Sequence, residues 1–189
     1  MRLLVQKISA FLLAFSLFGI VSVPLHAGEK APPAVIDLAH GKLATLAADP
    51  VIVQAVKAAN AKGVPLEKVK ELNTKWAATA GMDDFIKSVL TNPTSQHLRE
   101  IQKSKPYYAE IFLKDAQAAN VAMTDKTSSY WHGDKDKFTK AFSTGEVFVG
   151  DVSFDKSSQV YSSQVSLPVK DGSKVIGVLI VGIDIDQVK

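Results

Sequence analysis

The sequence predicts an α+β fold in which N-terminal helices pack on a five-stranded antiparallel sheet. Helix start and stop signals recur from residue 32 to residue 103. After Pro106 the pattern changes to short runs of aromatic and β-branched residues separated by turn residues. Residues 175–183, "VIGVLIVGI", then form a continuous apolar run, which is typical of a strand covered on both faces. Helices followed by strands indicate the α+β class.

The first 27 residues have the pattern of a secretory signal peptide. Arg2 and Lys7 give a basic start, residues 8–23 carry no charge, and residues 24–27 resemble a cleavage site that ends at Ala27. A retained membrane anchor is the alternative, but the apolar run is shorter than the roughly 20 residues that cross a bilayer. We therefore expect residues 28–189 to form a single periplasmic domain.

Composition limits the classes of partner and site. Removal of the first 27 residues leaves 20 basic and 19 acidic side chains, and the basic residues form no cluster, so a nucleic-acid partner is not expected. The sequence has no cysteine, which excludes disulfides, thiolate metal sites and a lipoprotein anchor.

Prolines and capping residues punctuate the helical half. Asp49-Pro50 predicts a helix that ends at Gly63, and Pro65 predicts the next one, which ends before Gly81. Asp84 is the predicted cap of a short helix, and Asn92-Pro93 starts another that ends before Pro106.

The second half alternates strands and turns. The predicted elements are a hairpin of residues 107–113 and 120–124, a short helix at 134–142, and strands at 146–154, 160–169 and 175–183. Asp171-Gly172 is a hairpin signal between the last two strands. The last strand, being the most apolar, should lie at the centre of the sheet.

Several stretches resemble the Cache (PDC, PAS-like) family of extracytoplasmic sensor domains. These are "ADPVIVQAVKAAN", "PYYAEIFLKDAQAANVAMTDKTSSYWHGDKDKF" and "SLPVKDGSKVIGVLIVGID", and the resemblance covers most of residues 34–184. It implies a helical part over about residues 32–104, a sheet over about 106–186, and a small-molecule pocket on the sheet face away from the N-terminal helices. Residues 126–142 would then cover the pocket.

Two features depart from the family pattern. Its members usually lie between two transmembrane helices of a chemoreceptor, kinase or cyclase, whereas this sequence ends just after its last strand. We therefore interpret it as a stand-alone secreted member that signals through a membrane receptor, kinase or transporter. The first hairpin also reads Asp115-Ala-Gln-Ala118 without the usual glycine, so a different turn, or Asn120 at positive φ, is expected.

Tyr130 and Trp131 are the first candidate ligand-binding residues. Two adjacent rings in a polar stretch, "MTDKTSSYWHGDKDKF", could stack on a ligand and donate a directed hydrogen bond. The alternative is that Trp131 fills the gap between loop and sheet.

Asp151, Asp155 and Tyr161 are the second set of candidates. The resemblance implies that pocket polar groups come from the third and fourth strands, where a carboxylate commonly holds a ligand ammonium. Asp155 is equally well explained by a turn, which favours Asp151. Strand alternation over 160–169 separates Tyr161 from Gln164, so we expect Tyr161 to point into the pocket and Gln164 towards solvent or a neighbouring chain.

Metal binding and catalysis have little support in the sequence. His40, His97 and His132 lack metal-ligand spacing, and His132 is expected to be a solvated loop residue. No nucleophile elbow, HExxH, P-loop or GxGxxG motif occurs, so we expect a protein that is not an enzyme and has no cofactor.

The sequence therefore predicts a periplasmic domain for small-molecule binding and signal transduction, with an amine- or carboxylate-bearing ligand. The alternative is a ligand-free adaptor or assembly module of the same fold, which a side-chain-filled pocket would favour. A homodimer through the N-terminal helices is a further expectation that the resemblance implies.

Overall fold

Proline and capping side chains set the starts of the helices. The computed structural model describes residues 28–156 and 158–188, so the predicted signal peptide lies outside the described residues. A π-helical turn at Ala39–Leu43 joins the first two helices. The helical elements of the first half are α1 (Pro33–Leu38), α2 (Ala44–Leu46), α3 (Pro50–Ala61), α4 (Leu66–Ala78), α5 (Asp84–Thr91) and α6 (Pro93–Lys103). None of the helices in these described ranges is long and apolar enough to cross a membrane.

Three of the predicted helix starts carry side-chain caps. Asp49 accepts a hydrogen bond from the Val51 N–H, and Asn92 accepts one from the Ser95 N–H, as the Asp-Pro and Asn-Pro pairs predict. Asp83 rather than Asp84 caps α5, because its carboxylate accepts from the Ile86 N–H. The predicted cap is therefore wrong by one residue.

The strands form one antiparallel sheet, which confirms the predicted α+β class. The strands are β1 (Tyr108–Lys114), β2 (Asn120–Met123), β3 (Phe148–Val149), β4 (Ser153–Asp155), β5 (Val160–Asp171) and β6 (Lys174–Asp184), with α7 (Asp136–Thr144) between β2 and β3. Their order is β2-β1-β6-β5-β3, and β4 also pairs with β5. The last strand is central, as predicted.

The sheet has six strands because the predicted strand at 146–154 is interrupted. Val152 turns away from β5 and exchanges backbone hydrogen bonds with the N-terminal residues: its N–H donates to the Glu29 carbonyl, and the Gly28 N–H donates to the Val152 carbonyl, both at 2.8 Å. The segment therefore pairs with β5 as two short strands.

The first hairpin uses Ala118, not Asn120, at positive φ. Ala118 has φ +67°, and Asn120 is the first residue of β2, so the expectation for Asn120 is wrong. The Asp115 carboxylate accepts hydrogen bonds from the N–H groups of Gln117 and Ala119, both at 2.9 Å. These bonds fix the turn and offset the strain of a left-handed alanine.

Alternation along the strands divides the core between the two faces of the sheet. On the helix face, Leu113, Val165 and Leu179 pack with α3 and α6 residues such as Val56 and Leu98. On the opposite face, a second core forms around Phe112, Ile180, Trp76, Ile86 and Phe138. Helices α4, α5 and α7 therefore cover the far face, and the candidate site lies at the edge of this second core.

Candidate functional site

A cavity of about 340 Å³ lies on the far face of the sheet. Three groups of residues line it: Glu110, Phe112 and Gln164 from the sheet, Ser153, Phe154, Asp155 and Lys156 from β4 and the residue after it, and Thr127, Ser128, His132 and Lys137 from residues 126–142. We call residues 126–142 the lid segment, and it occupies the position that the resemblance implied.

Glu110 is the acidic group at the floor of the cavity. Strand β1 places Glu110, Phe112 and Lys114 on the same face, since side chains two apart share a face. Glu110 is 4% exposed, and the Gln164 Nε2 donates to its Oε1 at 2.6 Å. Burial, and then the hydrogen bond and negative charge of Asp155, raise the pKa of Glu110 to about 7. A neighbouring negative charge favours the protonated form of a carboxyl group, and we call Glu110 and Asp155 the acidic pair.

Lys137 is a basic group that lines the same cavity. It lies in the first turn of α7, and its Nζ is 5.0 Å from the Phe112 ring centroid. Burial lowers the pKa of Lys137, although the carboxylates of Glu110 and Asp155 favour its charged form. The cavity therefore contains both an acidic pair and an amine.

His132 presents a neutral imidazole to the cavity. The ring is buried and edge-on to Phe112, with 5.6 Å between centroids. Burial and the nearby Lys114 and Lys137 charges hold the pKa of His132 far below its usual range. Within the described ranges, its Nδ1 is buried without a hydrogen-bond partner. The expectation of a solvated loop histidine is wrong, because the lid segment folds this residue inward.

Lys114 lies deeper on the same face and is completely buried. Its Nζ donates to the Tyr130 carbonyl at 3.2 Å, which ties the lid segment to β1. Burial lowers the pKa of Lys114 well below its usual value.

Tyr130 and Trp131 anchor the lid segment and do not belong to the described residues that line the cavity. The Tyr130 ring contacts those of Trp76 and Phe85, at centroid distances of 5.5 and 5.1 Å. Trp131 Nε1 donates to the Gln117 carbonyl at 2.8 Å. A single acceptor, Asn73 Oδ1, binds both of their backbone N–H groups. This placement supports the gap-filling alternative, and their ligand role stays a prediction.

The second set of predicted residues is divided between different environments. Asp155 lines the cavity, whereas Asp151 pairs with Lys30 at 2.9 Å. The Tyr161 ring packs on Phe154, with 5.3 Å between centroids. A ligand role for each of the three stays a prediction, and the geometry favours Asp155 over Asp151.

The prediction that Gln164 faces solvent or another chain is wrong. The apolar alternate residues of β5, Val165 and Leu167, pack on the N-terminal helices, so Gln164 points to the cavity face. Glu110 and Gln164 were missed as site residues, whereas Lys137 is one of the lid-segment lysines, with Lys126 and Lys135, that the sequence offers for a ligand carboxylate. A signal for one of them is present in the sequence of β1, "YAEIFLK", where Glu110 and Lys114 interrupt an apolar strand at a spacing that places them on one face.

A second cavity of about 320 Å³ adjoins the first. It is lined by Lys135, Asp136, Phe148, Gly150 and Asp151, and it shares Lys137, Ser153 and Gln164 with the first cavity. These three shared side chains therefore separate the two spaces. No group of three or more residues suited to hold a metal ion occurs in residues 28–156 and 158–188.

Comparison with known proteins gives structural similarity only. No protein-family model matches the sequence, and no curated protein matches it significantly. The sensor domain of the V. cholerae histidine kinase DctB is similar with a TM-score of 0.52 at 13% identity, covering 82% of this chain and 51% of that chain. This chain thus spans about half the length of that domain, and the similarity shows the fold.

Two other solved structures match less closely. The ligand-binding domain of the Campylobacter jejuni chemoreceptor Tlp3, in complex with L-valine, has a TM-score of 0.40 at 17% identity, with 81% of this chain and 64% of that chain covered. The E. coli DcuS sensor domain has a TM-score of 0.39 at 17% identity, with coverage of 65% and 93%.

Proposed function

We propose that this chain, whose fold is that of Cache (PDC) sensor domains, is a periplasmic sensor that binds a small metabolite in the cavity beneath its lid segment. The observation that supports this proposal best is the cavity itself. Its volume of about 340 Å³ falls in the range of small-molecule sites, and polar groups of both signs converge on it. The open volume supports this proposal over the adaptor alternative, which predicts a pocket filled by side chains.

The polar groups favour a ligand that carries charge. Glu110 and Asp155 suit an amine, while Lys137, Lys156 and the neutral His132 suit a carboxylate or another hydrogen-bonding group. Phe112 and Phe154 supply apolar surface beside them. This arrangement is suited to binding, and we propose no catalytic role for it.

Signalling would pass through the lid segment to a partner protein. A ligand that contacts His132 and Lys137 touches the lid segment directly, and the Tyr130 carbonyl bond to Lys114 and the Trp131 bond to Gln117 connect this segment to β1 and the first hairpin. Occupancy of the cavity would therefore change the outer surface of the lid segment and α7. A membrane receptor, kinase or transporter would recognise that surface.

A thermal-shift screen of the purified protein against amino acids, carboxylates, amines and purines tests the binding function. A ligand at a hundredfold excess over its dissociation constant should add ~2.7 kcal/mol of stability. Asp155→Asn should reduce the shift for an amine-bearing ligand, and Asp171→Asn is the matched control, because Asp171 pairs with Lys57 and lines neither cavity on the far face. The absence of a shift with every class at high concentration would favour the adaptor function.

A pull-down from periplasmic extract, with and without the ligand that the screen finds, tests the signalling step. The sensor function predicts a partner whose recovery changes with ligand. Identical partners in both conditions would contradict it.

A further inference from the structure

Lys137 stands between the two cavities on the far face. It is the one charged residue among the three described side chains that both cavities share. Its Nζ lies over the Phe112 ring at 5.0 Å, and Phe112 is two residues from Glu110 on the same face of β1. Lys137 therefore shares the first cavity with Glu110 and Asp155, whose charges act on its ammonium group.

The acidic pair has the properties of a cation subsite. Glu110 and Asp155 are in hydrogen-bond contact, and the groups that act on the Glu110 carboxyl come from several elements: Asp155 on β4, Gln164 on β5, Lys137 on α7 and Lys114 on β1. Lys114 is completely buried and bonded to the Tyr130 carbonyl. Lys137 and Lys156 both line the first cavity, but only Lys137 also lines the second cavity, so its side chain is the cation that can move between the two.

The second cavity offers a place for a displaced lysine. Asp136 and Asp151 line it, and their side chains are 72% and 49% exposed to solvent. Their present partners, Lys140 and Lys30, form surface ion pairs of the kind that contribute little stability. An ammonium group that swings from the first cavity into the second therefore meets carboxylates again.

We propose that Lys137 is a built-in occupant of the cation subsite at Glu110 and Asp155, and that a ligand with a primary ammonium group binds by displacing the Lys137 ammonium into the second cavity. This inference rests on the proposed binding function. Lys137 then sets the selectivity of the cavity, because each cationic ligand competes with it whereas an uncharged ligand does not.

NMR titrations of the full-length protein with n-butylammonium chloride and 1-butanol test this inference at constant ionic strength. Lys137→Met removes the competitor and should strengthen butylammonium binding by at least about tenfold. A unit charge a few ångströms away in a protein interacts by more than the ~1.4 kcal/mol that a factor of ten represents. The affinity for 1-butanol should stay within about twofold, since no charge is displaced.

Lys140→Met is the matched control. It removes the same charge from the same helix, but Lys140 lines neither cavity and lies over Phe148 instead. Lys140 also pairs with Asp136 of the second cavity, but an exposed pair of this kind contributes little free energy, so Lys140→Met should change the butylammonium affinity by no more than about twofold. Lys137→Arg, which keeps the charge, should behave like the wild type. Far-UV circular dichroism of each variant verifies that it is folded.

The outcomes separate this inference from the proposed function. Binding of the probes to the wild type with no gain in Lys137→Met, or an equal gain in Lys140→Met, would overturn the role of Lys137 and leave the binding function standing. No binding of either probe to any variant would overturn the role of Lys137, while the broader ligand screen would still decide the binding function.

Discussion

A single buried carboxyl group makes the stability of this protein depend on pH near neutrality. The pKa of Glu110 rises from 4.5 to about 7, chiefly because the side chain is buried and also because Asp155 is next to it. Between these two values the folded state holds a proton that the unfolded state has lost. Stability therefore falls as the pH rises from about 4.5 to about 7, and the loss is complete above that range.

Glu110→Gln should remove this dependence. The amide keeps the shape and can still bond to Gln164, but it has no proton to lose. Relative to the wild type, the variant should gain up to about 3 kcal/mol of unfolding free energy between pH 5 and pH 8. Urea denaturation at the two pH values measures this difference. An equal pH dependence in both proteins would show that Glu110 ionises freely in the folded state.

Trp131→Phe distinguishes the structural role of the aromatic pair from the predicted ligand role. The substitution removes the indole N–H bond to the Gln117 carbonyl but retains an aromatic ring. Loss of this bond should lower the unfolding free energy by about 1 kcal/mol. Ligand affinity should change by no more than about twofold, because the ring lies outside the cavity. A large loss of affinity, measured by calorimetry with a ligand from the screen, would instead restore the ligand role.

At the scale of elements, the positions that the sequence predicted well are those governed by local chemistry. Asp-Pro and Asn-Pro pairs set the starts of α3 and α6, and the apolar run of β6 set the centre of the sheet. The positive φ at Ala118 was missed because the Asp115 carboxylate, rather than a glycine, stabilises that turn. The interruption of the strand at 146–154 was missed because it depends on backbone bonds to Gly28 and Glu29, far away in sequence.

Asp49 connects two helices and should be the most sensitive of the caps. One carboxylate oxygen accepts from the Val51 N–H, and the other lies 2.8 Å from His97 Nε2 on α6. Burial opposes the charge, but the bonds from His97 and Val51 outweigh it and lower the pKa of Asp49. Asp49→Ala should cost roughly 1 to 2 kcal/mol of unfolding free energy.

Asp49→Asn is the matched control for that cap. Asparagine caps helices as well as aspartate does, so the variant loses only the charge and should cost less than about 1 kcal/mol. Urea denaturation compares the two variants. Equal losses would show that the charge next to His97, and not the cap, determines the effect.

At the scale of the whole molecule, the sheet separates a face covered by the N-terminal helices from a face that carries the cavity, and this division limits what the sequence could predict. The fold class and the lid segment follow from periodicity, turn residues and the resemblance. The acidic pair does not, because Glu110 on β1 and Asp155 on β4 meet only when β6 and β5 lie between their strands. The prediction for Gln164 is wrong because it assigns the apolar alternate residues of β5 to the pocket. Those residues pack on the N-terminal helices, which leaves Gln164 on the cavity face.

The two glycines of the central strand provide a test of this division. A Cβ at Gly177 would overlap the Lys114 carbonyl oxygen and approach Val56 of α3, and a backbone atom cannot move aside easily. A Cβ at Gly182 would meet the Glu110 Cγ at 2.8 Å but no backbone atom closer than 3.5 Å, so rotation of the Glu110 side chain is sufficient to relieve the overlap. Gly177→Ala should therefore cost roughly 2 to 3 kcal/mol of unfolding free energy, whereas Gly182→Ala should cost less than half as much.

The consequences for the cavity should be the reverse of those for stability. In Gly182→Ala the displaced Glu110 side chain loses its 2.6 Å bond from Gln164, so the Gln164 side-chain amide resonances should move. In Gly177→Ala the overlap with Val56 is on the helix face, whereas the bond between Gln164 and Glu110 is on the opposite face of the sheet. The Gln164 side-chain amide resonances should therefore stay in place. Urea denaturation and ¹H–¹⁵N NMR of the two variants measure both effects. If Gly177→Ala moved the Gln164 resonances as far as Gly182→Ala does, the two faces would be mechanically coupled through β6, because strain introduced at the helix face would then reach the cavity face.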